Sequence, residues 1–484
     1  MKRVMLIYPP GKAYQRGEDR AQCSIDDSAV TTIRACNDLG YAAAVLRNKS
    51  YHVLLRDYQT EKTSIEEVEE EIKEFSPDIV LISTTNATIP DDIAFADWVK
   101  TFICCEFILK GAIFFDIPDN LLGTLGLKNI NYLVGGEIDT VICQLADYIT
   151  GGISEINDVP GVIYKKDEKF IKTDFDKWFC DLDSIPFPAR DLMKNDLYVR
   201  PDTGEPMATI QVSRGCPANC VYCLTPIISG KTVRKRSVEN IFAEIEECYY
   251  KYNIKNFFFK ADTFTIDSQW AEELCDKIID SELYGKIEFT ANSRVKPLNS
   301  RLLKKLKMAG CFMLAVGFES GSNETLGKIK KGTTREDNLK AAKMIKEAKI
   351  PLFGFFMIGF PWESEKDIIN TLKFTTEIDP DFIEVHIAMP YYGTELYSQC
   401  QKYNTIRCEA WGNDYFSPNT TGTCEVTMDK INELRKKYLL RFYLRPEYIF
   451  KKIIYCLNAP AVFKNYFKHG IKLLKLMFNT PKSK

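Results

Sequence analysis

The segment SRGCPANCVYC, residues 213–223, contains three cysteines within eight positions. Cys216, Cys220 and Cys223 follow the spacing C-x3-C-x2-C, and none of the chain's three histidines lies nearby. A structural zinc site is closed by four protein ligands. Three thiolates without a fourth ligand fit an iron–sulfur cluster with one iron left open. The spacing therefore predicts a cluster that binds a small substrate and takes part in catalysis.

The composition of the whole chain is that of an ordinary globular protein. Its 484 residues suit two to four domains, and its formal net charge of −2 gives no bulk electrostatic reason to expect nucleic acid binding. The first residues, MKRVMLIYPP, lack the features of a signal peptide, and no apolar run reaches the roughly 18 residues of a membrane span. We therefore expect a cytoplasmic protein. Its cysteines are expected to be thiols, most of them small buried side chains such as Cys248 and Cys275.

Strand and helix patterns alternate with short loops along residues 1–155. Apolar runs such as RVMLIY, HVLLRD and DIVLIST read as strands, and SIEEVEEEIKEF reads as a helix with a capping box of Ser64 and Glu67. The alternation predicts an α/β domain with a doubly wound parallel sheet, whose ligands bind at the carboxyl ends of the strands. The polar and glycine residues expected at those ends are Ser83, Thr84, Thr85, Lys110, Gly111, Gly135, Gly136 and Glu137.

A second alternating region covers residues 201–400, after a predicted extended linker over residues 156–200 that contains DLDSIPFPARDLM. Six strand patterns with helices between them predict a partial (β/α)6 barrel. The first of these strands runs into the cysteine loop. Asp262, Arg294 and Glu319 follow or end three of the others, at the carboxyl end where such barrels carry their chemistry.

The segment CPANCVYC, which follows a strand and opens six βα units, resembles the radical S-adenosylmethionine (SAM) superfamily. The resemblance implies that Cys216, Cys220 and Cys223 hold a [4Fe–4S] cluster whose open iron binds the amino and carboxylate groups of SAM. It implies that Tyr222 packs beside the adenine. One electron, from a donor such as flavodoxin or ferredoxin, would then cleave SAM to methionine and a 5′-deoxyadenosyl radical.

Other segments of the barrel resemble the SAM contacts of the same superfamily. FKADTFT keeps Asp262 where paired aspartates are usual, TANSR places Arg294 to bind the SAM carboxylate, and GFES places Glu319 to bind the ribose or amino group. MIGFPWES is similar to the GLPGET segment but departs from it at Phe360 and Trp362. A surface or internal ion pair is the alternative role for Arg294 and Glu319.

The N-terminal region resembles the cobalamin-binding domain that precedes many radical SAM domains, and DLDSIPFPARDL is similar to their linker. Together with the radical SAM resemblance it covers about residues 1–400. It implies cobalamin contacts at the strand-end residues Ser83, Thr84, Thr85, Gly111, Gly135, Gly136 and Glu137, whereas Lys110 and the single glycine after it depart from the pattern. DYQTEK has Gln59 where the D-x-H-x-x-G motif has its histidine, so no histidine ligand to cobalt is expected. The alternative is a domain that kept the fold and lost the cofactor.

Residues 401–484 are basic and have helical periodicity. One predicted face carries Phe463, Phe467, Ile471, Leu474 and Phe478, and another carries Lys464, Lys468, Lys472 and Lys475. This pattern suits a helix that lies on an anionic membrane surface, and the alternative is a helix packed on the barrel with solvated lysines. RFYLRPEYI resembles the C-terminal region of radical SAM proteins of the magnesium-protoporphyrin ester cyclase and hopanoid-lipid type, which favours an apolar substrate.

Together these features predict a cobalamin-dependent radical SAM enzyme that methylates or cyclises an unactivated carbon of a small apolar or lipid-like molecule. The alternative is a non-catalytic iron–sulfur protein for binding or electron transfer, with a vestigial cobalamin domain. That alternative explains neither the charges at the strand ends nor the missing fourth cluster ligand.

Overall fold

The computed structural model describes residues 2–16, 24–25, 33–152, 155–167, 169–174, 181–407, 412, 421–458 and 460–478. In the last helix it leaves out the side chains of residues 460, 461, 469, 473 and 475–478, and just before it that of residue 458. Of the predicted membrane face, Phe478 and Lys475 therefore lie outside the described side chains.

The first sheet has seven strands, which are β1 (Arg3–Tyr8), β2 (His52–Asp57), β3 (Ile79–Ser83), β4 (Glu106–Lys110), β5 (Tyr132–Val134), β6 (Val162–Lys166) and β7 (Lys169–Lys172). Their order across the sheet is β2-β1-β3-β4-β5-β6-β7, and the first five are parallel. The chain reverses its direction of winding between β1 and β3. In doubly wound sheets this switch point is where ligands bind.

Helices cover both faces of this sheet, as the alternation predicts. They are α1 (Asn37–Asn48), α2 (Tyr58–Glu61), α3 (Ile65–Phe75), α4 (Ile89–Val99), α5 (Asp119–Leu122) and α6 (Ile138–Ile149). The predicted capping box is present, because Ser64 Oγ accepts from the Glu67 N–H while Glu67 accepts from the Ser64 N–H. Buried residues of α1 and α6 pack on one face of the sheet, and those of α3 and α4 pack on the other.

The structure differs from the sequence prediction in the first part of residues 156–200, where a linker is expected. Strands β6 and β7 lie there, and both extend the first sheet in antiparallel direction. A short hairpin needs no crossover helix, so the βα alternation that identified the other strands does not reveal it. The later part is irregular. Its Arg190 is buried and reaches Glu244 of the barrel at 2.6 Å.

The second sheet is the predicted partial barrel. Its region contains β8 (Met207–Gln211), β9 (Ser213–Arg214), β10 (Arg234–Lys235), β11 (Asn256–Lys260), β12 (Glu288–Arg294), β13 (Cys311–Glu319), β14 (Leu352–Ile358) and β15 (Phe382–Ile387). Six of these strands form one parallel sheet in the order β15-β14-β13-β12-β11-β8, and β9 and β10 form a separate hairpin. The cysteine loop lies between the two strands of that hairpin.

The outer helices of the barrel are α7 (Thr225–Ile228), α8 (Val238–Tyr252), α9 (Ser268–Ile279), α10 (Ser300–Met308), α11 (Asn323–Lys328), α12 (Arg335–Glu347), α13 (Glu365–Ile378) and α14 (Glu395–Lys402). A large apolar core lies between these helices and the sheet. Its aromatic rings pack closely, with the centroids of Phe259 and Phe289 4.5 Å apart. The core holds the strands rigidly and so fixes the positions of the side chains at their carboxyl ends.

Three C-terminal helices, α15 (Met428–Tyr443), α16 (Pro446–Asn458) and α17 (Pro460–Phe478), contact the amino end of the barrel. Tyr443 OH accepts from the N–H of Ile383 at 3.0 Å, and Tyr448 OH donates to the carbonyl of Asp381 at 2.9 Å. Asn465 donates to the carbonyl of Asp202 at 2.9 Å. Helix α15 also packs beside α13 in the barrel core and has Ile431 close to Gly359 after β14, so the contacts at the amino end come from its last turn and from α16 and α17. Within the described part of the chain, none of the helices is both long and apolar enough to span a membrane.

Candidate active site

The cysteine loop is held at both ends by one carboxylate. Asp262, just after β11, accepts from the Gly215 N–H at 2.6 Å and from the Thr225 hydroxyl at 3.1 Å. Gly215 has a φ of +89°, and a Cβ there would lie 2.1 Å from the carbonyl oxygen of Thr232, so no other residue fits. The predicted Asp262 is therefore a positioning residue for the loop that carries the thiols.

The three cysteines face a cavity of about 200 Å³ at the carboxyl end of the barrel. Cys216 and Cys220 are buried, and Cys223 is partly exposed. All seven residues that the sequence predicts for the cluster and SAM line this one cavity: Cys216, Cys220, Tyr222, Cys223, Asp262, Arg294 and Glu319. They come from several strand ends that share one edge of the sheet, which is why separate motifs meet in space.

Arg294, the last residue of β12, lies beside the thiols. Its Nη1 donates to Cys220 Sγ at 3.3 Å, and its Nη2 donates to the carbonyl of Lys331. Arg294 is thus in direct contact with one of the three predicted cluster ligands and also lines the cavity.

Glu319 forms the internal ion pair that the sequence left open as an alternative. Its carboxylate lies 2.6 Å from Lys331 Nζ, and both side chains are buried. Lys331 Nζ is also 3.4 Å from Tyr222 OH. Burial and the Glu319 charge raise the pKa of Tyr222 well above its ordinary value, so its hydroxyl stays protonated. Sequence reasoning missed Lys331, because it follows a short helix and not a strand.

The far wall of the cavity was also not predicted. It includes Phe355 on β14 and both Glu384 and His386 on β15. His386 Nε2 lies 3.4 Å from a Glu384 carboxylate oxygen. Alternate residues of a strand face the same side, so the pattern FIEVHI could have placed Glu384 and His386 together inside the barrel. Without a known inward face, the sequence alone did not select them.

The MIGFPWES segment supports Tyr222 from outside the cavity. Glu363 is buried and accepts from the backbone N–H groups of Gly359 at 2.8 Å and Phe360 at 3.1 Å. Burial raises the pKa of Glu363 to about 8. The Phe360 ring stacks on Trp362 with centroids 5.2 Å apart and lies 6.2 Å from the Tyr222 ring. The two residues that depart from the superfamily pattern therefore form an aromatic packing layer.

The switch point of the first sheet contains a buried polar cluster around Asp38. Its carboxylate accepts from Tyr8 OH and Ser83 Oγ, both at 2.6 Å, and lies 3.3 Å from Lys110 Nζ. Burial alone would raise the pKa of Asp38, but the Lys110 charge and the two hydroxyl donors outweigh burial and lower it. Asp38 therefore neutralises Lys110, and both Ser83 and Lys110 are engaged inside the protein.

The remaining predicted cobalamin contacts are also engaged by neighbouring residues. The hydroxyls of Thr84 and Thr85 lie 3.2 and 3.3 Å from that of Thr88. A Cβ added at Gly111 would lie 2.6 Å from the Thr84 methyl group. These residues end their strands at the predicted edge, but their polar groups face each other.

Phe115 covers the glycines that follow β5. A Cβ at Gly135 or Gly136 would lie 2.5 or 2.3 Å from the Phe115 ring, and Gly136 has a φ of +72°. The space at this strand edge is a cavity of about 50 Å³, far too small for a corrin. The residue types match the predicted cobalamin site, and in this conformation Phe115 occupies the space next to both glycines.

Glu137 links the two halves of the molecule. It forms ion pairs with Arg234 at 2.5 Å and Arg214 at 3.3 Å, and Asp139 pairs with Arg214 at 2.7 Å. Both arginines belong to the hairpin that carries the cysteine loop. The small cavity lies at this junction, and Asp262 lines both it and the larger cavity. The two predicted sites are therefore adjacent.

Gln59 occupies the position where a cobalt-binding histidine would fall. It is buried, its Oε1 accepts from the Tyr14 N–H and from Arg16 Nε, and its Nε2 donates to the carbonyl of Tyr14. Through these hydrogen bonds, Gln59 holds the segment that follows β1 in place. Its side chain is thus a structural group at this strand end.

The donor set of the larger cavity consists of the three cysteine thiols, with the Arg294 guanidinium at Cys220. This arrangement is what a multi-iron group bound by three thiolates requires.

Comparisons with known proteins agree with the fold. Residues 210–375 match the family model of the radical SAM superfamily. The chain is 31% identical over 451 residues to an uncharacterized methyltransferase of Pyrococcus horikoshii, covering 93% of this chain and 94% of the relative. It is 25% identical to the hopanoid C-3 methylase of Methylococcus capsulatus, covering 76% and 69% of the two chains.

A solved structure extends the likeness to the whole molecule. The cobalamin-dependent SAM radical enzyme OxsB, with aqua-cobalamin and SAM bound, aligns with a TM-score of 0.72 and 16% identity. The alignment covers 99% of this chain and 72% of OxsB. At this identity the likeness shows a shared fold, including both sheets and their order along the chain.

Proposed function

Because the chain belongs to the radical SAM superfamily, and is thus an enzyme that uses SAM and a [4Fe–4S] cluster, we propose that it is a cobalamin-dependent methyltransferase. Cys216, Cys220 and Cys223 hold the cluster in this proposal. The observation that carries it is the convergence of three cysteines, Arg294 and the Glu319–Lys331 pair on one cavity. When bound, the cluster supplies the electron that cleaves SAM.

Different residues of the cavity suit different parts of the SAM molecule. Arg294 suits the SAM carboxylate, because its guanidinium lies beside Cys220 and can donate bidentately. Tyr222 and Glu319, bridged by Lys331, suit the adenosine part. Phe353 and Phe355 form an apolar wall that excludes water from a reactive radical. A reductant such as flavodoxin or ferredoxin supplies the electron.

Cobalamin is proposed to bind at the switch point of the first sheet. Support comes from the fold shared with OxsB and from the position of the small cavity, which borders the SAM cavity at Asp262. Phe115 must move for the nucleotide tail to reach Gly135 and Gly136. When bound, cobalamin supplies a methyl group for transfer to carbon.

An apolar or lipid-like substrate taken from a membrane surface fits the C-terminal helices. Of the seventeen exposed large apolar side chains among the described residues, eleven lie between Leu444 and Leu474. Phe463 and Phe467 are among them, and Lys464 and Lys468 are exposed beside them. An apolar face with flanking lysines suits an anionic membrane surface. The hopanoid methylase relative acts, by its name, on a lipid.

The coproducts of SAM test the methyltransferase proposal. Reconstituted enzyme with reductant, hydroxocobalamin and SAM should form both 5′-deoxyadenosine and S-adenosylhomocysteine, the second only when cobalamin is present. Formation of 5′-deoxyadenosine alone, with or without cobalamin, would favour the cyclase type of reaction instead. The absence of both products from cluster-containing enzyme would contradict radical SAM chemistry at this cavity.

Cosedimentation with vesicles tests the membrane proposal. F463S combined with F467S should reduce binding to anionic vesicles at low salt by about tenfold, while Y250S, a change at an equally exposed ring on α8, should not. Equal binding of both variants, or no binding of the wild type, would show that α17 does not contact membranes.

A further inference from the structure

A row of aromatic rings runs along the inside of the barrel. Because side chains alternate along a strand, Phe353 and Phe355 of β14 face the same interior as Phe382 and His386 of β15. The centroids of Phe382 and Phe353 are 6.3 Å apart, those of Phe353 and Phe355 are 4.7 Å apart, and those of Phe355 and His386 are 5.7 Å apart. The row leads from the amino end of the barrel to the cysteine cavity.

A second cavity, of about 390 Å³, lies where this row begins. It lies between the amino ends of the strands and helices α16 and α17, and this volume lies in the range of ligand sites. Its apolar lining residues are Pro201, Phe312, Met313, Pro351, Phe353, Phe382, Tyr455 and Tyr466. Phe353 lines both this cavity and the cysteine cavity, so the two spaces meet at this side chain.

The opening of the second cavity carries charged groups, and most of its cations have carboxylate partners. Arg200 pairs with Asp202 at 2.6 Å, Lys452 with Asp381 at 3.1 Å and Lys451 with Asp379 at 2.8 Å. Lys307 is exposed at the edge of the cavity on α10, where its charge can meet an anionic group. An apolar interior with this lysine at its edge matches an apolar chain with an anionic head.

The surroundings connect this opening to the proposed membrane face. Tyr455 and Lys452 of α16 and Tyr466 of α17 line the cavity, while Phe450, Leu457 and Phe463 of the same helices are exposed on the outside. The same two helices thus form one wall of the cavity and the apolar outer surface. A lipid leaving the membrane would meet this opening first.

We propose that the second cavity binds the apolar chain of an amphiphilic substrate with an anionic head group. The chain extends past Phe353 along the aromatic row and brings a carbon atom to the cysteine cavity. From Phe353 to Met357 the strand advances about 13 Å, at roughly 3.3 Å per residue, so a single extended chain reaches the SAM site. This inference rests on the proposed function, since it assigns the substrate class of that site.

Binding of a chain-shaped probe tests the site without turnover. Displacement of a dansyl fatty acid by dodecyl phosphate is measured on the full-length, cluster-containing enzyme. M313W would fill the cavity and should weaken binding at least tenfold. M308W adds the same ring at an exposed position of α10 and should leave binding unchanged. Dodecyltrimethylammonium, with the opposite head charge, should bind at least tenfold more weakly than dodecyl phosphate.

A second pair of variants tests the edge of the cavity if M313W does not fold. K307E should remove the preference for dodecyl phosphate over dodecyltrimethylammonium, and K304E, an exposed change on the same helix that does not line the cavity, should keep it. Equal probe affinity in the wild type, M313W and K307E would overturn the inference.

The same samples separate this inference from the proposed function. If 5′-deoxyadenosine forms while probe binding is unaffected by M313W and K307E, the substrate site is wrong and the radical chemistry stands. If probe binding responds as expected while no 5′-deoxyadenosine forms, the cavity stands and the proposed function fails.

Discussion

The two sheets carry their predicted sites at the same kind of edge, but the space at the two edges differs. At the carboxyl end of the barrel, the open edge, the cysteines, Arg294 and Glu319 surround about 200 Å³. At the carboxyl end of the first sheet, the closed edge, the cavity beside the predicted cobalamin contacts has about 50 Å³, and Ser83, Lys110 and Glu137 all contact protein partners. The motifs predict a ligand at both edges, whereas the packing of other side chains decides how much space is present.

The cause of the difference is local. In the barrel, inward positions of β13 are the small residues Ala315 and Gly317, which leave the interior free. In the first sheet, Phe115 lies over two glycines, and the Asp38–Lys110 pair fills the switch point. One aromatic side chain and one buried ion pair thus distinguish the closed edge from the open one.

The largest expected effect comes from removing the thiols of the open edge. Replacing Cys216, Cys220 and Cys223 together by alanine should abolish bound iron and the broad visible absorbance, because all three line the only cavity assigned to the cluster. Iron analysis and visible spectra after anaerobic reconstitution measure this loss. C275A combined with C311A, at two buried cysteines of the barrel core, should retain iron and serves as the control. Iron retained at about four atoms per chain in the triple variant would contradict the assignment.

A smaller effect is expected from Glu363, which supports Tyr222 at the open edge. Its pKa is raised from 4.5 to about 8 by burial. Because this pKa is higher in the folded protein than in the unfolded chain, folding takes up a proton at Glu363. The stabilisation from this proton is complete below about pH 4.5 and is lost as the pH rises to about 8. Between these two pH values, the free energy of unfolding should fall by at most about 1.4 kcal/mol per pH unit.

E363Q should remove this dependence, because an amide does not titrate and its oxygen can still accept from Gly359 and Phe360. Urea unfolding at pH 5.5 and pH 8 should show a smaller decrease in stability for E363Q than for the wild type. E282Q, at an exposed glutamate, should behave like the wild type. A decrease in E363Q as large as that in the wild type would show that Glu363 does not titrate in this range.

The smallest effect is expected at the closed edge. F115A should open the space over Gly135 and Gly136 and tighten hydroxocobalamin binding by about tenfold, equivalent to about 1.4 kcal/mol. Visible titration measures the affinity, and F102A, a ring of the same sheet region away from this edge, is the control. Unchanged or weaker binding in F115A would indicate that Phe115 does not limit access.

Electron paramagnetic resonance of bound cobalamin in its Co(II) form provides a second test of this edge. It should show no coupling to a protein imidazole nitrogen, because Gln59 stands in the ligand position and is bonded to Tyr14 and Arg16. An imidazole coupling would require another residue to reach the cobalt and would place cobalamin elsewhere.

The sequence predicts the parts of the molecule that repeat or that carry a motif. Alternating apolar patterns identify the six barrel strands, and the motif residues meet because strand ends share one edge. Lys331 was missed because it reaches the site from a loop after α11, and its contact with Glu319 depends on tertiary structure. The hairpin β6–β7 was missed because it interrupts the alternation. Phe115 could not be predicted to cover Gly135, since nothing in LKGAIFF fixes the direction of that ring.

The central claim is that the three-cysteine cavity holds a cluster whose open iron binds SAM beside Arg294. The most direct test is electron–nuclear double resonance of the reduced, reconstituted enzyme with SAM labelled by ¹⁷O in the carboxylate and ¹⁵N in the amino group. Both labels should couple to the cluster in the wild type. A reduced cluster spectrum that does not change on addition of SAM and couples to neither label would contradict it.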